Sequence, residues 1–484
     1  MQDVDRLFIG GGWADPATGD RIEVVSPHSE EVVARVAAAG AADVDRAVLA
    51  ARAAVDEGPW PGLDPAERIA AVRRLGDEYG ARRKEMAQAI TTEMGSPISF
   101  SRFVQAGLPA MMIGALADVA ERHDWESTRR GHYGQDLLIR KEPVGVVAAI
   151  VPWNYPQFLV VTKVVPALLA GCAVVLKPAA ETPLDSLLLA EMIAVLGLPP
   201  GVVSVLPGGG EVGGLLVEHP GVDKVSFTGS TAVGRRVAAA AGAGLKRVSL
   251  ELGGKSAAIV LDDADPAAVA AGLQGAALAN SGQTCVAQSR VLVPAARHDE
   301  VLDALAAMVD GLVVGDPGDK ATEVGPLVTQ RQQERVRGYI RLGVQEGARV
   351  VRGGPELPDG IDRGWYVQPT VLAGVDNGMR VAREEIFGPV LTVIPYSGDD
   401  EAVRLANDSD YGLSGSVWTG DTGRGLDVAR RVRAGSFGVN QAYTMDPAAP
   451  FGGMKASGIG RELGSEGLDE HLETKAISVE GGLP

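Results

Sequence analysis

The chain has 484 residues, which predicts two or three domains and allows a large buried core. Its 45 Lys and Arg against 62 Asp and Glu give a net charge of −17, which disfavours binding to nucleic acid or to an anionic membrane surface. Two distant cysteines, Cys172 and Cys285, exclude a disulfide framework, and six scattered His give no zinc-ligand spacing, so no metal site is expected. The acidic N-terminus lacks a signal-peptide pattern, and the longest apolar run, 144–153, is too short for a bilayer, so we expect a cytoplasmic protein.

The first third of the chain predicts short strands followed by helices. A turn at Gly10-Gly11-Gly12 joins two strands within 6–13, and an Ala-rich helix is expected at 42–55. A longer helix starts at the cap Asp64-Pro65 and runs towards Gly95, with a break expected near Gly80.

From residue 145 onward, short apolar runs alternate with helical stretches. Strands are predicted at 145–151, 172–177, 202–206, 224–227, 257–261, 390–395 and 414–418. Helices are predicted at 182–196, 231–240, 266–280, 299–310, 330–346, 400–407 and 422–434. This alternation is typical of an α/β protein with two doubly wound parallel-sheet domains, and the charged segment 121–142 is an excursion between them.

Cys285 is a candidate nucleophile because it lies in a polar, Gly-containing loop after a helical stretch. A thiolate is a strong nucleophile there, although a small buried residue is the commoner fate of a free cysteine. Cys172, at the entry of an apolar strand, is expected to be such a buried residue.

Two further segments suggest acyl chemistry. Glu251 ends a predicted strand, where partial burial would raise the pKa of its carboxyl towards that of a useful base; a salt bridge to Lys255 or a helix cap is the alternative. Two prolines hold Asn154 in the segment 151–156, and its amide could donate to an oxyanion, unless the segment is an ordinary turn.

Two glycine loops follow predicted strands. The segment 208–213 matches G-x-G-x-x-G, and the segment 227–234 leads into a helix whose N-terminus could face a pyrophosphate. Either loop could equally be a plain strand-to-helix turn. The sequence contains no G-x-S-x-G, which argues against an α/β-hydrolase.

Taken together, these segments resemble the aldehyde dehydrogenase superfamily over nearly the whole chain. The motifs that match are Val151-Pro-Trp-Asn154, Leu176-Lys177-Pro178, Phe227-Thr-Gly-Ser230, Leu250-Glu251-Leu-Gly-Gly-Lys255, Gly282-Gln-Thr-Cys285, Glu384-Glu385-Ile-Phe387-Gly-Pro389 and Pro450-Phe451-Gly-Gly.

The resemblance implies a role for each matching residue. Cys285 would be the nucleophile, Glu251 the general base, and Asn154 the oxyanion donor together with the Cys285 backbone N–H. Lys163 and Glu462 match positions around the active site and its proton path. The cofactor contacts implied are Ile150, Val151, Pro152, Trp153, Lys177, Ala180, Gly210, Phe227, Gly229, Ser230, Leu252, Glu385 and Phe387.

NAD is the cofactor that the resemblance implies, with NADP as the alternative. Strict NAD users of the family usually have Glu three residues after the ribose lysine, where this chain has Ala180. The loss of that acid removes a repulsion against a 2′-phosphate.

The resemblance also implies a division of the chain. Residues 1–122 and 144–253 would form the dinucleotide-binding domain, 254–455 the catalytic domain, and 123–143 with 470–484 the strands of a homo-dimer or homo-tetramer. The substrate tunnel would be lined by Tyr155, Leu159, Thr162, Tyr443 and Met445, none of which is charged.

An uncharged medium-chain, terpenoid-like or aromatic aldehyde is therefore the expected substrate, unless Arg102 reaches the tunnel mouth. The alternatives are a semialdehyde or betaine-aldehyde dehydrogenase, a CoA-acylating relative, a cysteine hydrolase with esterase activity, and a non-catalytic binding protein on the same fold.

Overall fold

A computed structural model describes residues 3–443, 445–480 and 483. The strands are β1 (Leu7–Ile9), β2 (Gly12–Ala14), β3 (Arg21–Val25), β4 (Val32–Ala37), β5 (Glu126–Arg130), β6 (Asp136–Pro143), β7 (Val146–Ile150), β8 (Ala173–Lys177), β9 (Val203–Val205), β10 (Lys224–Thr228), β11 (Arg247–Glu251), β12 (Ala257–Val260), β13 (Arg290–Pro294), β14 (Arg349–Arg352), β15 (Thr370–Ala373), β16 (Val390–Tyr396), β17 (Tyr411–Gly412), β18 (Gly415–Trp418), β19 (Gly438–Val439), β20 (Met454–Lys455), β21 (Gly458–Ile459) and β22 (Leu472–Ser478).

The helices are α1 (Ala41–Asp56), α2 (Pro65–Met94), α3 (Ile98–Phe100), α4 (Gly107–Glu121), α5 (Pro156–Ala170), α6 (Leu184–Ala194), α7 (Gly210–Glu218), α8 (Thr231–Ala243), α9 (Pro266–Ala277), α10 (His298–Asp310), α11 (Gln330–Gln345), α12 (Arg380–Arg383), α13 (Asp399–Asn407), α14 (Thr422–Arg431) and α15 (Gly464–Asp469). A π-helical turn, Ser101–Gln105, joins α3 to α4.

The first large sheet has the strand order β2-β1-β9-β8-β7-β10-β11-β21. Its five central strands, β9 to β11, are parallel, whereas β1 and β21 pair antiparallel at its two sides. Strands β7 and β8 are buried at every position, as expected for strands covered by helices on both faces. The chain proceeds from β7 to β9 on one side and returns to β10 on the other, so a crevice opens at the carboxyl ends of β7 and β10.

The second large sheet has the order β14-β15-β16-β13-β12-β18-β19 and is parallel except for β14. The two sheets confirm the predicted α/β class with parallel, doubly wound domains. Strand β21 returns the chain to the first sheet after the range that the sequence assigned to the catalytic domain.

A third sheet, in the order β22-β6-β5, is antiparallel and lies where the sequence predicts oligomerisation strands. Most of its side chains are exposed or half-buried. Residues 481, 482 and 484 of the predicted tail segment lie outside the described residues. The contribution of this sheet to an oligomer stays a prediction.

The expected helix break near Gly80 is wrong, because α2 is continuous over 30 residues. Its N-cap Asp64 accepts a hydrogen bond from the Ala66 N–H, and Gly95 ends it in a left-handed conformation. One glycine in a helix costs about 1 kcal/mol. Packing of α2 against α4, α5 and α6 outweighs that cost.

The segment Ile98–Glu121 is long and apolar enough to cross a membrane by length and composition, a feature that the sequence analysis did not single out. In the fold, this segment packs against α2 and α5, and it buries Met112, Ile113 and Leu116 in the core of the first domain. Its apolar character is therefore explained by a core face.

Candidate active site

A cavity of about 970 Å³ opens at the crevice between the carboxyl ends of β7 and β10. Its walls come from the ends of β7, β8 and β10 and from the first turns of α7 and α8. Ser230 is the N-cap of helix α8, and its Oγ accepts a hydrogen bond from the Val233 N–H at 3.4 Å. The N-terminus of such a helix favours a phosphate group.

Most residues predicted to contact the cofactor line this cavity, and the rest line an adjoining one. Those in the large cavity are Ile150, Val151, Pro152, Trp153, Lys177, Ala180, Gly210, Phe227, Gly229 and Ser230. A Cβ built at Gly210 meets no atom within 4 Å, so the backbone there borders open space. Burial lowers the pKa of Lys177 to about 8, with Glu181 opposing that shift.

The adjoining cavity has a volume of about 160 Å³ and contains the predicted nucleophile. Its lining includes Cys285, Asn154, Leu252, Glu385 and Phe387. The two cavities share Pro152, Trp153, Thr228, Gly229, Ser230, Gln332 and Arg335 in their walls. A ligand in the large cavity can therefore extend to the thiol.

Two aromatic rings from different sheets meet at the smaller cavity. Trp153 follows β7, and Phe387 precedes β16 with a left-handed φ of 66°. Their ring centroids are 5.4 Å apart at an angle of 86°, an edge-to-face contact. Glu385 lies beside them, and its Oε1 accepts the Gly254 N–H at 3.2 Å. Burial raises the pKa of Glu385.

Cys285 follows a run of left-handed residues: Asn280, Ser281 and Gly282 have φ values of 55°, 58° and 71°. A left-handed conformation is uncommon for residues other than glycine and needs support from its surroundings. The Ser281 hydroxyl supplies part of it by donating to Gly325 O at 2.8 Å. A Cβ at Gly282 would lie 2.2 Å from Gly388 O, so this position requires glycine.

Asn154 is held at both its backbone and its side chain. Its Nδ2 donates to Gln283 O at 3.0 Å, two residues before the thiol. Asn280 and Gln105 both donate to its carbonyl oxygen, at 2.8 and 2.9 Å. Since an amide nitrogen has two hydrogens, one remains for an oxygen next to Cys285.

The surroundings of Cys285 disfavour the thiolate form. Burial, together with the nearby carboxylates of Glu385 and Glu251, raises its pKa to about 12. The residue is half-buried, which is less accessible than the sequence alone suggests. A base is therefore needed to produce the thiolate.

Glu251 ends β11 and is 3% exposed. Burial raises the pKa of its carboxyl well above the usual value, and the neighbouring Glu462 raises it further, whereas Lys163 opposes that shift. Its Oε2 has no hydrogen-bond partner within the described part of the chain, and the predicted alternative, a salt bridge to Lys255, is not formed there. A carboxyl with a raised pKa and a free oxygen can accept a proton near neutral pH.

Lys163 and Glu462 form a buried ion pair behind Glu251. The Lys163 ammonium also donates to Thr228 Oγ1 at 2.6 Å. In the part of the chain that the structure describes, neither cavity is lined by Glu251, Lys163 or Glu462. The ion pair lies close enough to Glu251 for both of its charges to shift the pKa of the Glu251 carboxyl.

Comparisons with known proteins agree with this arrangement. The model of the Aldehyde dehydrogenase family matches residues 13–477. The chain belongs to the aldehyde dehydrogenase family. It is 46% identical over 479 residues to geranial dehydrogenase of Castellaniella defragrans, with 99% of each chain covered.

Two solved structures of aldehyde dehydrogenases are also similar. The Mycobacterium tuberculosis enzyme complexed with NAD+ has 47% identity and a TM-score of 0.98, with 100% of this chain and 99% of that chain covered. A mutant of aldehyde dehydrogenase C from Pseudomonas syringae, complexed with NAD+ and octanal, has 44% identity and a TM-score of 0.95, with 98% and 96% covered. The predicted family, fold and enzyme class are confirmed.

The residues predicted to line an aldehyde tunnel lie at one end of α5 and in a loop near Thr444, which is outside the described residues. Leu159 and Thr162 are buried, and Tyr155 donates to or accepts from Thr284 Oγ1 at 2.9 Å. Tyr443 and Met445 are half-buried and pack on the same core cluster as Tyr155 and Cys285. Among the described residues, none of these five lines either cavity, so their role stays a prediction.

Several residues at the site were not predicted from the sequence. Gln332 and Arg335, on α11, line both cavities, and Arg236 and Arg331 line the larger one. Gln105, Asn280 and Gln283 fix the loops of Asn154 and Cys285. An amphipathic pattern does not tell which polar helix residues face a crevice, and an isolated Gln or Asn gives no local signal.

The structure contains no group of three or more His, Cys, Asp or Glu that could hold a metal ion, within residues 3–443, 445–480 and 483.

Proposed function

We propose that this chain oxidises an uncharged medium-chain, terpenoid-like or aromatic aldehyde to the carboxylic acid, with NAD as the cofactor. The observation that carries the proposal is the shared wall of the two cavities, since Cys285 and Asn154 border the small cavity and the α8 N-terminus borders the large one. The space, the glycine-lined backbone and the helix terminus fit a dinucleotide. NAD, when bound, supplies a hydride acceptor.

In the proposed mechanism, Glu251 accepts the Cys285 proton, directly or through water, and the sulfur attacks the aldehyde carbon. The developing oxyanion accepts two hydrogen bonds, one from the remaining N–H of the Asn154 amide and one from the Cys285 backbone N–H. Collapse of the oxyanion would break the C–H bond and leave a thioester on Cys285, and NAD held by the residues that line the two cavities would accept the hydride. After Glu251 has released the thiol proton to solvent, its carboxylate takes a proton from water, and the resulting hydroxide attacks the thioester, which frees the carboxylic acid and the Cys285 thiolate.

The proposed substrate class rests on charge and on two relatives. The residues predicted for the tunnel are uncharged, and burying an unpaired substrate carboxylate costs several kcal/mol. Arg102 is exposed on the π turn. Two relatives are associated with uncharged aldehydes: one is a geranial dehydrogenase, and the other was solved in complex with octanal.

An aldehyde panel tests the proposal. With NAD, octanal, geranial and benzaldehyde should give kcat/KM values well above those of succinic semialdehyde and betaine aldehyde, because an apolar wall gains about 25 cal/mol per Å² of buried substrate surface. Monitoring NADH formation with and without CoA distinguishes the proposed enzyme from a CoA-acylating relative, which would depend on CoA. An ester hydrolysis assay without NAD tests for the alternative of a cysteine hydrolase. Succinic semialdehyde ahead of octanal would reject the substrate class.

The choice between NAD and NADP has its own variant. Ala180 lines the large cavity, where Arg331 and Arg236 provide positive charge. The variant Ala180→Glu should lower kcat/KM for NADP by about tenfold relative to NAD, through repulsion of the 2′-phosphate. An unchanged ratio would show that this position does not select the cofactor.

The third sheet and the compartment complete the proposal. We expect β5, β6 and β22 to pair in a homo-dimer or homo-tetramer, and we keep the cytoplasm as the compartment. Light scattering of the full chain measures the assembly, and a monomer at micromolar concentration would contradict it.

A further inference from the structure

The π turn Ser101–Gln105 brings one side chain to the oxyanion amide. The Ala106 N–H donates to Ser101 O at 2.9 Å, five residues back, which defines the wider turn. One extra residue in a helix rotates everything after it by about 100°, and π turns occur frequently at functional sites. Phe103 of this turn is 80% exposed, whereas Gln105 is completely buried.

Gln105 contacts the active site through a backbone carbonyl. Its Nε2 donates to Asn154 O at 2.9 Å, and Asn280 fills the other acceptor position of the same oxygen at 2.8 Å. The peptide plane after Asn154 is therefore held from two sides, by the helix of the first domain and by the loop of the nucleophile. An oxygen with two good donors has little freedom to rotate.

The amide side chain is fixed by the same framework. Asn154 Nδ2 donates to Gln283 O, and Gln283 is held in turn by its own side chain, which donates to Asn280 O at 3.2 Å and accepts from Val328 N at 3.0 Å. Gln105 is the one member of this framework that comes from the helical segment before residue 122. Its loss would free one side of the Asn154 backbone.

We propose that Gln105 is a positioning residue that aims the Asn154 amide at the oxyanion through the Asn154 carbonyl. This inference rests on the proposed function, because it assigns a role in that reaction. Gln105 touches neither substrate nor cofactor. Electrostatic stabilisation depends on donors that are already in place when charge develops, so a loosened amide should slow the chemical steps more than binding.

The test uses the full chain and the variant Gln105→Leu, which removes the donor and keeps a similar volume. Its kcat with octanal should fall about tenfold, while KM changes by less than about twofold. Ser101→Ala is the matched control, since Ser101 is also buried on this turn but bonds to Thr91 and Ser96. The control should keep the wild-type kcat within about twofold.

A double-mutant cycle separates positioning from general damage. In the Asn154→Ala background, Gln105→Leu should cost less than about twofold in kcat, because the side-chain amide that Gln105 positions is absent, although the backbone carbonyl remains. Equal losses in both backgrounds would overturn the proposal. Alkylation of Cys285 by iodoacetamide, in which sulfur displaces iodide and no oxyanion forms, should keep its wild-type rate in Gln105→Leu; a slowed alkylation would mean that the nucleophile loop has moved and would also overturn it.

Two further outcomes decide the matter. If Gln105→Leu does not fold, Gln105→Met replaces it, and failure of both to fold counts against the proposal because the residue would then serve the fold. The wild-type rate in the same assay reports the proposed function by itself. A wild type that oxidises no aldehyde rejects that function and this inference together, whereas an active wild type matched by Gln105→Leu rejects this inference alone.

Discussion

The surroundings of the two cysteines differ less in thiol acidity than in access. Cys172 precedes β8, is completely buried, and donates to His471 O at 3.5 Å. Burial raises its pKa to about 11, and burial with two carboxylates raises the pKa of Cys285 to about 12. Both thiols have raised pKa values, so acidity does not single out Cys285.

What distinguishes Cys285 is therefore its setting at the cavity beside the carboxyl ends of β7 and β10. It borders a cavity, an amide donor is fixed beside it, and Glu251 is close enough for its charge to raise the thiol pKa. The comparison teaches that a nucleophile in this fold is defined by access and by a nearby base.

The largest expected effect on kcat comes from removing the two thiol groups in separate variants. Cys285→Ala should lower kcat at least about 1,000-fold, because no other group at the site can form the thioester. Cys172→Ala, the matched control, should stay within about twofold. The rate of NADH formation with octanal measures both. A Cys285→Ala enzyme with wild-type turnover would remove the basis of the comparison.

Loss of the oxyanion donor should have the next largest effect. Asn154→Ala should lower kcat by about 100- to 1,000-fold, the usual cost of removing such a donor. Cys285 alkylation by iodoacetamide should be unaffected, which separates the donor from the thiol. A kcat within tenfold of the wild type would show that the Cys285 backbone N–H suffices.

The pH dependence of alkylation tests access against acidity. Below the thiol pKa, the thiolate fraction rises with pH, so Cys285 alkylation should increase by about tenfold per unit from about pH 7 to about pH 10. Cys172 should remain unmodified in the folded enzyme over the same pH range, because it is completely buried. Peptide mapping by mass spectrometry follows both sites. Faster labelling of Cys172 would show that acidity decides.

The smallest expected effect is on thermal stability, where Cys172→Ala should be more damaging than Cys285→Ala. Cys172→Ala leaves a small cavity in a closed core and should cost about 1 kcal/mol, lowering Tm by about 1–2 °C. Cys285→Ala should change Tm less, since the thiol borders a cavity. Differential scanning fluorimetry measures both variants. A larger loss for Cys285→Ala would indicate a structural role for that thiol.

Much of the fold follows from local patterns in the sequence. Buried apolar runs predicted β7, β8 and β10, and the Asp64-Pro65 cap predicted the start of α2. The break at Gly80 failed because tertiary packing outweighs a single weak helix former. Cys285, Asn154 and Glu251 were found because each lies next to a strand end or a glycine turn.

The supporting parts of the site depend on contacts between distant segments. The left-handed run before Cys285 is fixed by Gly325 and Asn154, and no local preference predicts it at Asn280 and Ser281. Gln105 lies 49 residues from Asn154 in sequence, on a π turn that has no sequence signature. The raised pKa of Glu251 also needs the surrounding charges, since Glu462 comes from the far end of the chain.

The most direct test of the central claim is intact-protein mass spectrometry of Glu251→Gln after mixing with NAD and octanal. Gln is nearly isosteric but cannot accept a proton, so deacylation should slow more than hydride transfer. The account predicts an octanoyl adduct that maps to Cys285 and not to Cys172. An unmodified protein with normal steady-state NADH formation would contradict it.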